Sequence, residues 1–419
     1  MIELTKTKNS VDLVAVALAI NLLVLLAAAI WVYWQDKIIE AQFPFNSFLP
    51  APVTRFGDFF GIGDIWIREK FNGVGYGMSY FPATYLPIDL VTRYFGWPYE
   101  ALSVALLSGL SLLIFGTDKI VRQTKNSWAQ SFLVIVVLLT SYPTIFLIHT
   151  GNIEFWLIGS VIVGLWLSKS EKNLLAGVAL GVAVAMKIMP IFFIVPFIFR
   201  KDLSSIRRTI HGLLIGAVFS TALPLIMYSG GLRDGFGFIS RNRESQQMYL
   251  DLMVWGGAGT HFGHSFLNGF HALFGNVLPT RTWWLAVMVI GYSIIAFLYF
   301  LQVKSKASLG EVLMVCAVGI CLLAPTSTDY KLTAFFPGLI FLLTQTPSRR
   351  TYFSTVMCCL IIAPKPYLQT NVCEYCNAGV WLTPILMIFF IVGLYAFNIS
   401  TLFKLDRSLK VVRQSLLSE

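Results

Sequence analysis

The feature that most limits how this chain can fold is a series of long apolar segments. Residues 11–34 read VDLVAVALAINLLVLLAAAIWVYW, with Asp12 as the one charged residue, and several later stretches are as apolar. A helix needs about twenty such residues to cross roughly 30 Å of hydrocarbon, whereas the strands of a membrane barrel alternate apolar and polar residues over about ten positions. The composition agrees, since 56% of the residues are hydrophobic and the mean hydropathy is +0.72. The sequence therefore predicts an all-α polytopic membrane protein whose first helix is retained rather than removed as a signal peptide.

One apolar segment, residues 173–199, decides the predicted topology. It is too long for one untilted span and short for two, and it lies between the basic sequences SKSEK and RKDLSSIRR. Basic loops prefer the cytoplasm, so we expect a hairpin with its turn at Lys187–Pro190, where proline favours a break. Counting both arms gives about twelve membrane crossings and places both termini in the cytoplasm. The predicted helices are 11–34, 99–116, 127–148, 153–168, 173–199 as two arms, 209–229, 283–302, 309–323, 332–346, 351–363 and 380–400.

The domain organisation follows from the same pattern. Residues 1–400 are predicted to form one transmembrane domain with large outer loops at 35–98 and 230–282. Residues 401–419 repeat leucine at helical spacing between lysines and arginines, which predicts a basic amphipathic tail on the cytoplasmic leaflet. Most of the 31 lysines and arginines fall in predicted cytoplasmic segments, so the net charge of +10 reflects membrane orientation. A nucleic-acid partner is not needed to explain it.

Nearly every unusual polar residue falls in or beside a segment predicted to lie outside the membrane. Such a set suits a reaction between a lipid-held anionic group and a neutral hydroxyl, because a carboxylate such as Asp58 can accept the hydroxyl proton. Lys187, Arg241 or a protonated histidine can stabilise negative charge on a phosphate leaving group. Asp64 is the second candidate for the base. The outer candidates are Asp58, Asp64, Tyr80, Tyr85, Asn152, Arg241, Arg243, His261, His264 and Asp329.

Lys187 is the one charge in the otherwise apolar stretch AVAMKIMPIFFIVPFIF. A lysine at the centre of a membrane helix costs about 2.5 to 3.5 kcal/mol on insertion scales. We therefore expect either a carboxylate or an anionic ligand beside it. The other interpretation is a structural anchor whose amine reaches the lipid headgroups.

Several short motifs, in their order along the chain, resemble those of glycosyltransferase family 87, which contains polyprenol-phosphate-mannose-dependent α-(1-2)-mannosyltransferases of the GT-C superfamily. The resemblance implies a GT-C-type bundle that transfers a sugar, mannose by family default, from a polyprenyl-phosphate donor to a glycan or glycolipid acceptor with inversion. It also implies Asp58 as general base and Lys187 near the donor phosphate. The expected location is the plasma (inner) membrane, with the site on the extracytoplasmic side. The motifs are Asp58-Phe59, Tyr80-Phe81-Pro82 with Tyr85 and Pro87, Gly151-Asn152-Ile153, Ala185–Pro190 and Ala324–Ser327.

Structural interpretations of single residues stay open beside these roles. Asp58 fits the cap of a short interfacial helix, and Asn152 and Glu154 fit the start of the helix predicted near 153. Arg241 and Arg243 suit a phosphate and lipid headgroups equally well. Asp329 either pairs with Lys331 or orients a substrate.

The histidines and cysteines do not make a metal site from sequence alone. Two residues separate His261 and His264, a spacing that would put two metal ligands on one face of a helix. Glycines surround them, however, and no third ligand is near, which favours a hydrogen-bonding role over zinc. Cys373 and Cys376 are predicted to form a disulfide if their compartment is oxidising. No cofactor is predicted, and a divalent metal is left open.

Two other classes of function were weighed against the transferase. A secondary transporter also uses broken helices and an embedded lysine, but the chain shows no pair of related halves. A polysaccharide polymerase or ligase has one large outer loop, usually late in the chain, whereas the first large loop here directly follows the first helix. The absence of a Gly-rich nucleotide loop argues against a soluble nucleotide-sugar donor.

Overall fold

The fold is described from a computed structural model and is almost entirely helical, with one short hairpin of two strands. The helices are α1 Glu3–Tyr33, α2 Pro82–Phe95, α3 Tyr99–Lys125, α4 Trp128–Leu139, α5 Tyr142–Thr150, α6 Glu154–Lys169, α7 Asn173–Met186, α8 Ile194–Ile198, α9 Leu203–Tyr228, α10 Leu232–Tyr249, α11 Phe266–Phe274, α12 Arg281–Lys304, α13 Leu309–Leu322, α14 Phe336–Leu343, α15 Arg349–Ile361 and α16 Gly379–Leu416. Short 3-10 helices cover Met189–Phe193 and Asp329–Phe335, and π-helical turns cover Trp34–Ile38 and Leu250–Trp255. Strand β1, Tyr367–Leu368, pairs antiparallel with β2, Cys376–Asn377. The structure describes residues 3–41, 44, 47, 49, 56, 58–61, 63, 81–96, 98–125, 127–198, 201–228, 232–255, 263–274, 281–304, 307–324, 329–368 and 376–416.

Several of these helices are long and apolar enough to cross a membrane. Within the described residues they are Leu13–Ile38, Tyr99–Lys125, Leu203–Met227 and Gly379–Phe397, and the bent pair α4 and α5 makes a fifth if it counts as one span. Shorter apolar helices include α7, α13 and part of α12. The all-α polytopic class predicted from the sequence is therefore confirmed. The number of twelve crossings and the cytoplasmic position of the termini stay predictions.

Close helix packing in the bundle depends on glycine. Helices α7 and α9 run side by side, and a Cβ on Gly177 would come within 2.0 Å of the Thr209 carbonyl oxygen. A Cβ on Gly212 would come equally close to the Leu174 carbonyl oxygen. Small residues at such positions let membrane helices approach at backbone distance, where van der Waals contact drives association. Gly177 and Gly212 therefore let α7 and α9 pack at backbone distance.

The chain turns back on itself after α7. The helix ends at Lys187, whose backbone is extended (φ −157°, ψ 131°), and Pro190 lies in the 3-10 helix that follows. At the far end of α7, Asn173 Nδ2 donates a hydrogen bond to Ser205 Oγ at 3.0 Å. Lys201 Nζ donates to the Ser168 carbonyl oxygen at 2.9 Å. Residues 201–205 have thus returned to the end of the bundle where α7 began, so the chain reverses between Lys187 and residue 201.

The contacts define two ends of the bundle. The loops after α3, α6, α8 and α14 meet at one of them, which we call the Arg350 end. Gln123 Nε2 donates to Ser170 Oγ at 2.6 Å, Lys169 Nζ lies 5.8 Å from the centre of the Phe341 ring, and Arg350 pairs with Glu311. The opposite end, called the Lys187 end, gathers the starts of α3 and α6, the ends of α5 and α7, and the 3-10 helix Asp329–Phe335.

The structure contains helices that the hydropathy pattern did not predict. Helices α2, α10 and α11 lie within segments predicted as the outer loops 35–98 and 230–282. These helices are short or contain charged residues, such as Asp89 and Arg93 on α2. No long apolar run therefore marks them in the sequence. One face of α2 is nevertheless buried, with Tyr85 and Ile88 at 0% exposure. The predicted loops are therefore partly helical and packed onto the bundle.

Two helix predictions differ from the structure. The single helix predicted for 127–148 is two helices, α4 and α5, that meet at 59°. Pro143 explains the bend, since proline has no amide hydrogen and disfavours a helical conformation in the residue before it. Helix α16 runs without interruption to Leu416, past the end predicted at residue 400.

Candidate active site

A tight turn between α5 and α6 supports the segment that carries Asp58. Helix α5 ends at Gly151, which has φ +66°, in the left-handed region that favours glycine. A Cβ there would lie 3.0 Å from Phe59 Cβ and 3.1 Å from Leu102 Cδ1. The Phe56 amide also donates to the His149 carbonyl oxygen at 2.8 Å. The turn thus holds Phe56, Asp58 and Phe59 directly against the start of α6.

Asn152 links Asp58 to helix α6. Its Nδ2 donates a hydrogen bond to Asp58 Oδ2 at 2.7 Å, and its Oδ1 accepts one from the Glu154 amide at 3.0 Å. The second bond satisfies a free amide at the helix start and orients the Asn152 side chain, which is only 2% exposed. The sequence predicted Asp58 and Asn152 as site residues, and the structure brings them together although they are far apart in the chain.

The surroundings of Asp58 change its acidity. Burial raises the pKa of Asp58 above its ordinary value, while the hydrogen bond from Asn152, the positive charge of Lys187 and a hydrogen bond from Thr150 act in the opposite direction. The net result is a raised pKa. A carboxylate whose pKa is nearer neutrality is a better proton acceptor when ionised. The environment therefore suits Asp58 to general-base chemistry more than an exposed helix cap would.

Lys187 pairs with Glu154. The Lys187 ammonium donates to Glu154 Oε1, and the two side chains are 20% and 7% exposed. The same ammonium lies 4.9 Å from the centre of the Tyr330 ring, within the range of a cation–π contact. Thr84 Oγ1 on α2 donates to the Met186 carbonyl oxygen at 2.9 Å, which holds the end of α7 in place. The predicted carboxylate beside Lys187 is thus confirmed, and it is Glu154.

A second polar network lies next to this pair. Tyr142 OH donates to Asp329 Oδ2 at 2.7 Å, and His264 Nε2 bonds Asp329 Oδ1. His264 Nδ1 contacts the Gly379 carbonyl oxygen at 3.0 Å, so this nitrogen carries a hydrogen. All of the side chains in the network are buried. The network joins α5, the segment before α11, the 3-10 helix and the start of α16.

A cleft opens beside Lys187 and Glu154. The cleft is small, with a volume of about 20 Å³, and it is partly open to solvent. Lys331 from the 3-10 helix also lines it, opposite the break after α7. The apolar lining includes Leu157, Ile158, Met189, Pro190, Phe193, Ile320 and Ala334. A ligand with a charged group and an apolar part fits such a lining.

Other predicted site residues lie apart from the Lys187–Glu154 pair or outside the described residues. Tyr85 is fully buried on α2 among apolar side chains. Arg241 and Arg243 lie on α10, whose neighbours include α9 and the π-helical turn after it. Asp64, Tyr80 and His261 lie outside the described residues, as does Cys373 of the predicted disulfide.

Sequence reasoning missed some members of the site. Tyr142 lies within an apolar run, and nothing in the sequence indicates that its hydroxyl group takes part in a polar network. Asp329 was expected to pair with Lys331 or a substrate, whereas its observed partners are Tyr142 and His264. Among the described residues, no group of three or more histidine, cysteine or acidic side chains is arranged to hold a metal ion.

The chain matches the model of glycosyltransferase family 87 over residues 80–325. The match includes Asn152, Glu154 and Lys187 and begins after Asp58. No curated protein matches the chain at a significant level. Because the matched region covers more than half of the chain, the protein belongs to glycosyltransferase family 87 and is a membrane glycosyltransferase.

Proposed function

We propose that this transferase moves a sugar from a polyprenyl-phosphate donor to a hydroxyl group of a glycan or glycolipid, with inversion at the anomeric carbon. Mannose is the first sugar to test. The observation that carries the proposal is the placement of a half-buried carboxylate, Asp58, and a half-buried cation, Lys187, beside one turn at the same end of the bundle. Asn152 on that turn donates a hydrogen bond to Asp58, and Glu154, the first residue after it, pairs with Lys187.

In the proposed reaction, Asp58 acts on the acceptor as the general base. Its carboxylate takes the proton of the attacking hydroxyl as the oxygen forms a bond to the anomeric carbon. Removing such a base slows a reaction by about 10²- to 10⁴-fold. Asn152 holds the carboxylate in position through the 2.7 Å hydrogen bond.

Lys187 is assigned to the donor. As the bond between the anomeric carbon and the phosphate oxygen breaks, its electron pair stays on that oxygen, and the phosphate changes from a diester with one negative charge to a monoester with two. A fixed cation beside the leaving group stabilises this developing charge. The apolar lining of the cleft suits the lipid portion of the same donor.

The distribution of charge supports an extracytoplasmic site. Basic residues concentrate at the Arg350 end, and basic loops favour the cytoplasm. With the Arg350 end in the cytoplasm, we expect the Lys187 end, and with it the reaction, to lie on the outer side of the plasma membrane.

The test is transfer of radiolabelled sugar from polyprenyl-phosphate-mannose in membranes that contain the wild type or Asp58→Asn. The amide keeps the size of the side chain but cannot accept the proton, so transfer falls by at least about 100-fold. Asp202→Asn is the matched control, because Asp202 caps α9 at the opposite end through Ser204 and Ser205 and asparagine caps equally well. Retained transfer in Asp58→Asn at normal protein levels refutes the assignment of the base. Parallel assays with glucose and arabinose donors identify the sugar.

A further inference from the structure

The cleft beside Lys187 has a second basic side chain that the assigned roles do not use. Lys331 reaches it from the 3-10 helix Asp329–Phe335, opposite the break after α7. The charged groups of the lining are Lys187, Lys331 and Glu154, two cations and one carboxylate. The described lining thus has a net positive charge, which favours an anionic ligand.

Lys331 is held in place by the structure around it. Asp329, two residues earlier, is fixed by Tyr142 and His264. The Lys331 carbonyl oxygen accepts a bond from Cys321 Sγ at 3.3 Å, and Leu332, the next residue, is fully buried. The backbone that carries Lys331 is therefore anchored to α5 and α13. A ligand that contacts Lys331 meets a positioned group and orders little additional chain on binding.

The charge state of Lys331 depends on the cleft. Burial, and then the positive charge of Lys187, lower its pKa to about 8, against the smaller opposing effect of Glu154. A bound anion acts against both of these causes and favours the protonated form. An anionic ligand between the two lysines therefore gains an additional charge-assisted contact at neutral pH.

The apolar part of the lining gives the ligand its second property. Met189, Phe193 and Ile320 line the cleft together with the two lysines. A free inorganic phosphate leaves these side chains without a partner, whereas a phosphate ester of an apolar chain covers them. Burial of each methylene group strengthens binding by about fourfold, so even a short chain adds substantially to affinity.

We infer that Lys331 and Lys187 together form the phosphate subsite of the donor, and that Met189, Phe193 and Ile320 receive the first part of its lipid chain. The inference rests on the proposed function, because it assigns the lipid-phosphate donor to this cleft. In the reaction described above the phosphate gains one negative charge as the sugar leaves. Two cations match the doubly charged monoester that is released better than the diester that enters.

The experiment measures binding without transfer, so its result is independent of whether the sugar and acceptor have been identified. Purified full-length protein in detergent is titrated with farnesyl phosphate, and binding is followed by the shift in melting temperature. Farnesol tests the need for the phosphate, inorganic phosphate tests the need for the chain, and phosphatidylglycerol tests whether any anionic lipid suffices. The variants are Lys331→Met, Lys331→Arg and Met189→Trp. Lys172→Met is the matched control, because Lys172 is an exposed lysine at the Arg350 end.

Wild-type protein is expected to bind farnesyl phosphate more tightly than each of the other three probes. Lys331→Met is expected to weaken farnesyl phosphate binding by about tenfold or more, the loss for a hydrogen bond to a charged group. Lys331→Arg, which keeps the charge and guards against a folding defect, stays within a few-fold of wild type, as does Lys172→Met. Met189→Trp, which narrows the apolar part, weakens farnesyl phosphate and leaves inorganic phosphate unchanged.

Three outcomes overturn the inference. The first is equal affinity of Lys331→Met and wild type for farnesyl phosphate. The second is a loss of farnesol binding in Lys331→Met as large as its loss of farnesyl phosphate binding. That result shows that the substitution changed the packing of the cleft rather than its charge. The third is binding of inorganic phosphate or phosphatidylglycerol as tight as that of farnesyl phosphate. Failure of the proposed function differs from all three, because farnesyl phosphate still binds while no sugar is transferred from any polyprenyl-phosphate donor.

Discussion

The bond from Asn152 to Asp58 gives the sharpest test of the site. Asn152→Ala removes the donor of a 2.7 Å hydrogen bond to the half-buried Asp58 carboxylate. A hydrogen bond to a charged group contributes about 1.5 to 3 kcal/mol, and here it favours the ionised form of Asp58. Since this bond lowers the pKa of Asp58 against the effect of burial, its loss raises that pKa.

The sign of the effect on activity follows from the role of the base. Asp58 accepts a proton only when it is ionised, so activity is lost as the pH falls through the pKa of Asp58. A higher pKa moves this loss to higher pH. The assay is the pH dependence of kcat/KM for sugar transfer, and we expect the acid limb of Asn152→Ala to lie at higher pH than that of the wild type.

The control for this experiment is another buried asparagine. Asn173→Ala removes a hydrogen bond to Ser205 at the opposite end of the bundle, so it is expected to leave the acid limb in place. A uniform loss of rate in Asn152→Ala at every pH, with an unmoved acid limb, refutes the reasoning. Asn152 would then hold the turn together without controlling the ionisation of Asp58.

Three further substitutions test the contacts around the site. Glu154→Gln leaves the Lys187 cation without its anion and is expected to lower the free energy of unfolding by about 3 kcal/mol; thermal melts should show part of this recovered when Lys187→Met is added. Tyr142→Phe removes one hydrogen bond to Asp329 and is expected to lower the free energy of unfolding by about 1 to 3 kcal/mol in the same thermal melts. An unchanged stability would contradict a buried hydrogen bond at this position. Gly151→Ala places a Cβ 3.0 Å from the Phe59 side chain, at a residue with a left-handed φ. Sugar transfer is therefore expected to fall even where the protein still folds. Wild-type activity in this variant would show that the turn does not position Asp58.

Hydropathy was sufficient to predict the class of fold and most of the long helices, because the membrane requires long apolar segments. It did not predict α2, α10 and α11. Helix α2 buries one face against the bundle while Arg93 and other residues stay exposed, so its sequence is amphipathic rather than apolar. The signal for such a helix is periodicity, which an apolar-run criterion does not detect.

The site was predictable to the extent that its residues were unusual for their surroundings. Lys187 in an apolar segment required a partner, and the structure supplies Glu154. Asp329 and His264 were recognised as polar residues, but their pairing was not, because contacts between distant segments depend on how the helices pack. Tyr142 gave no signal at all, since a tyrosine in an apolar helix is common and its hydroxyl partner is distant in sequence.

The electrostatics of the helix ends explain how Lys187 and Glu154 can pair within an otherwise apolar bundle. Glu154 is the first residue of α6, where the helix dipole favours a negative charge, and Lys187 is the cap at the end of α7, where it favours a positive one. Because α6 and α7 are antiparallel neighbours joined by a short turn, the start of one lies beside the end of the other. Each charge is therefore stabilised by its own helix as well as by its partner. A pair supported in this way can share Lys187 with a bound anion without losing all of its stabilisation, which an isolated ion pair in an apolar bundle cannot do.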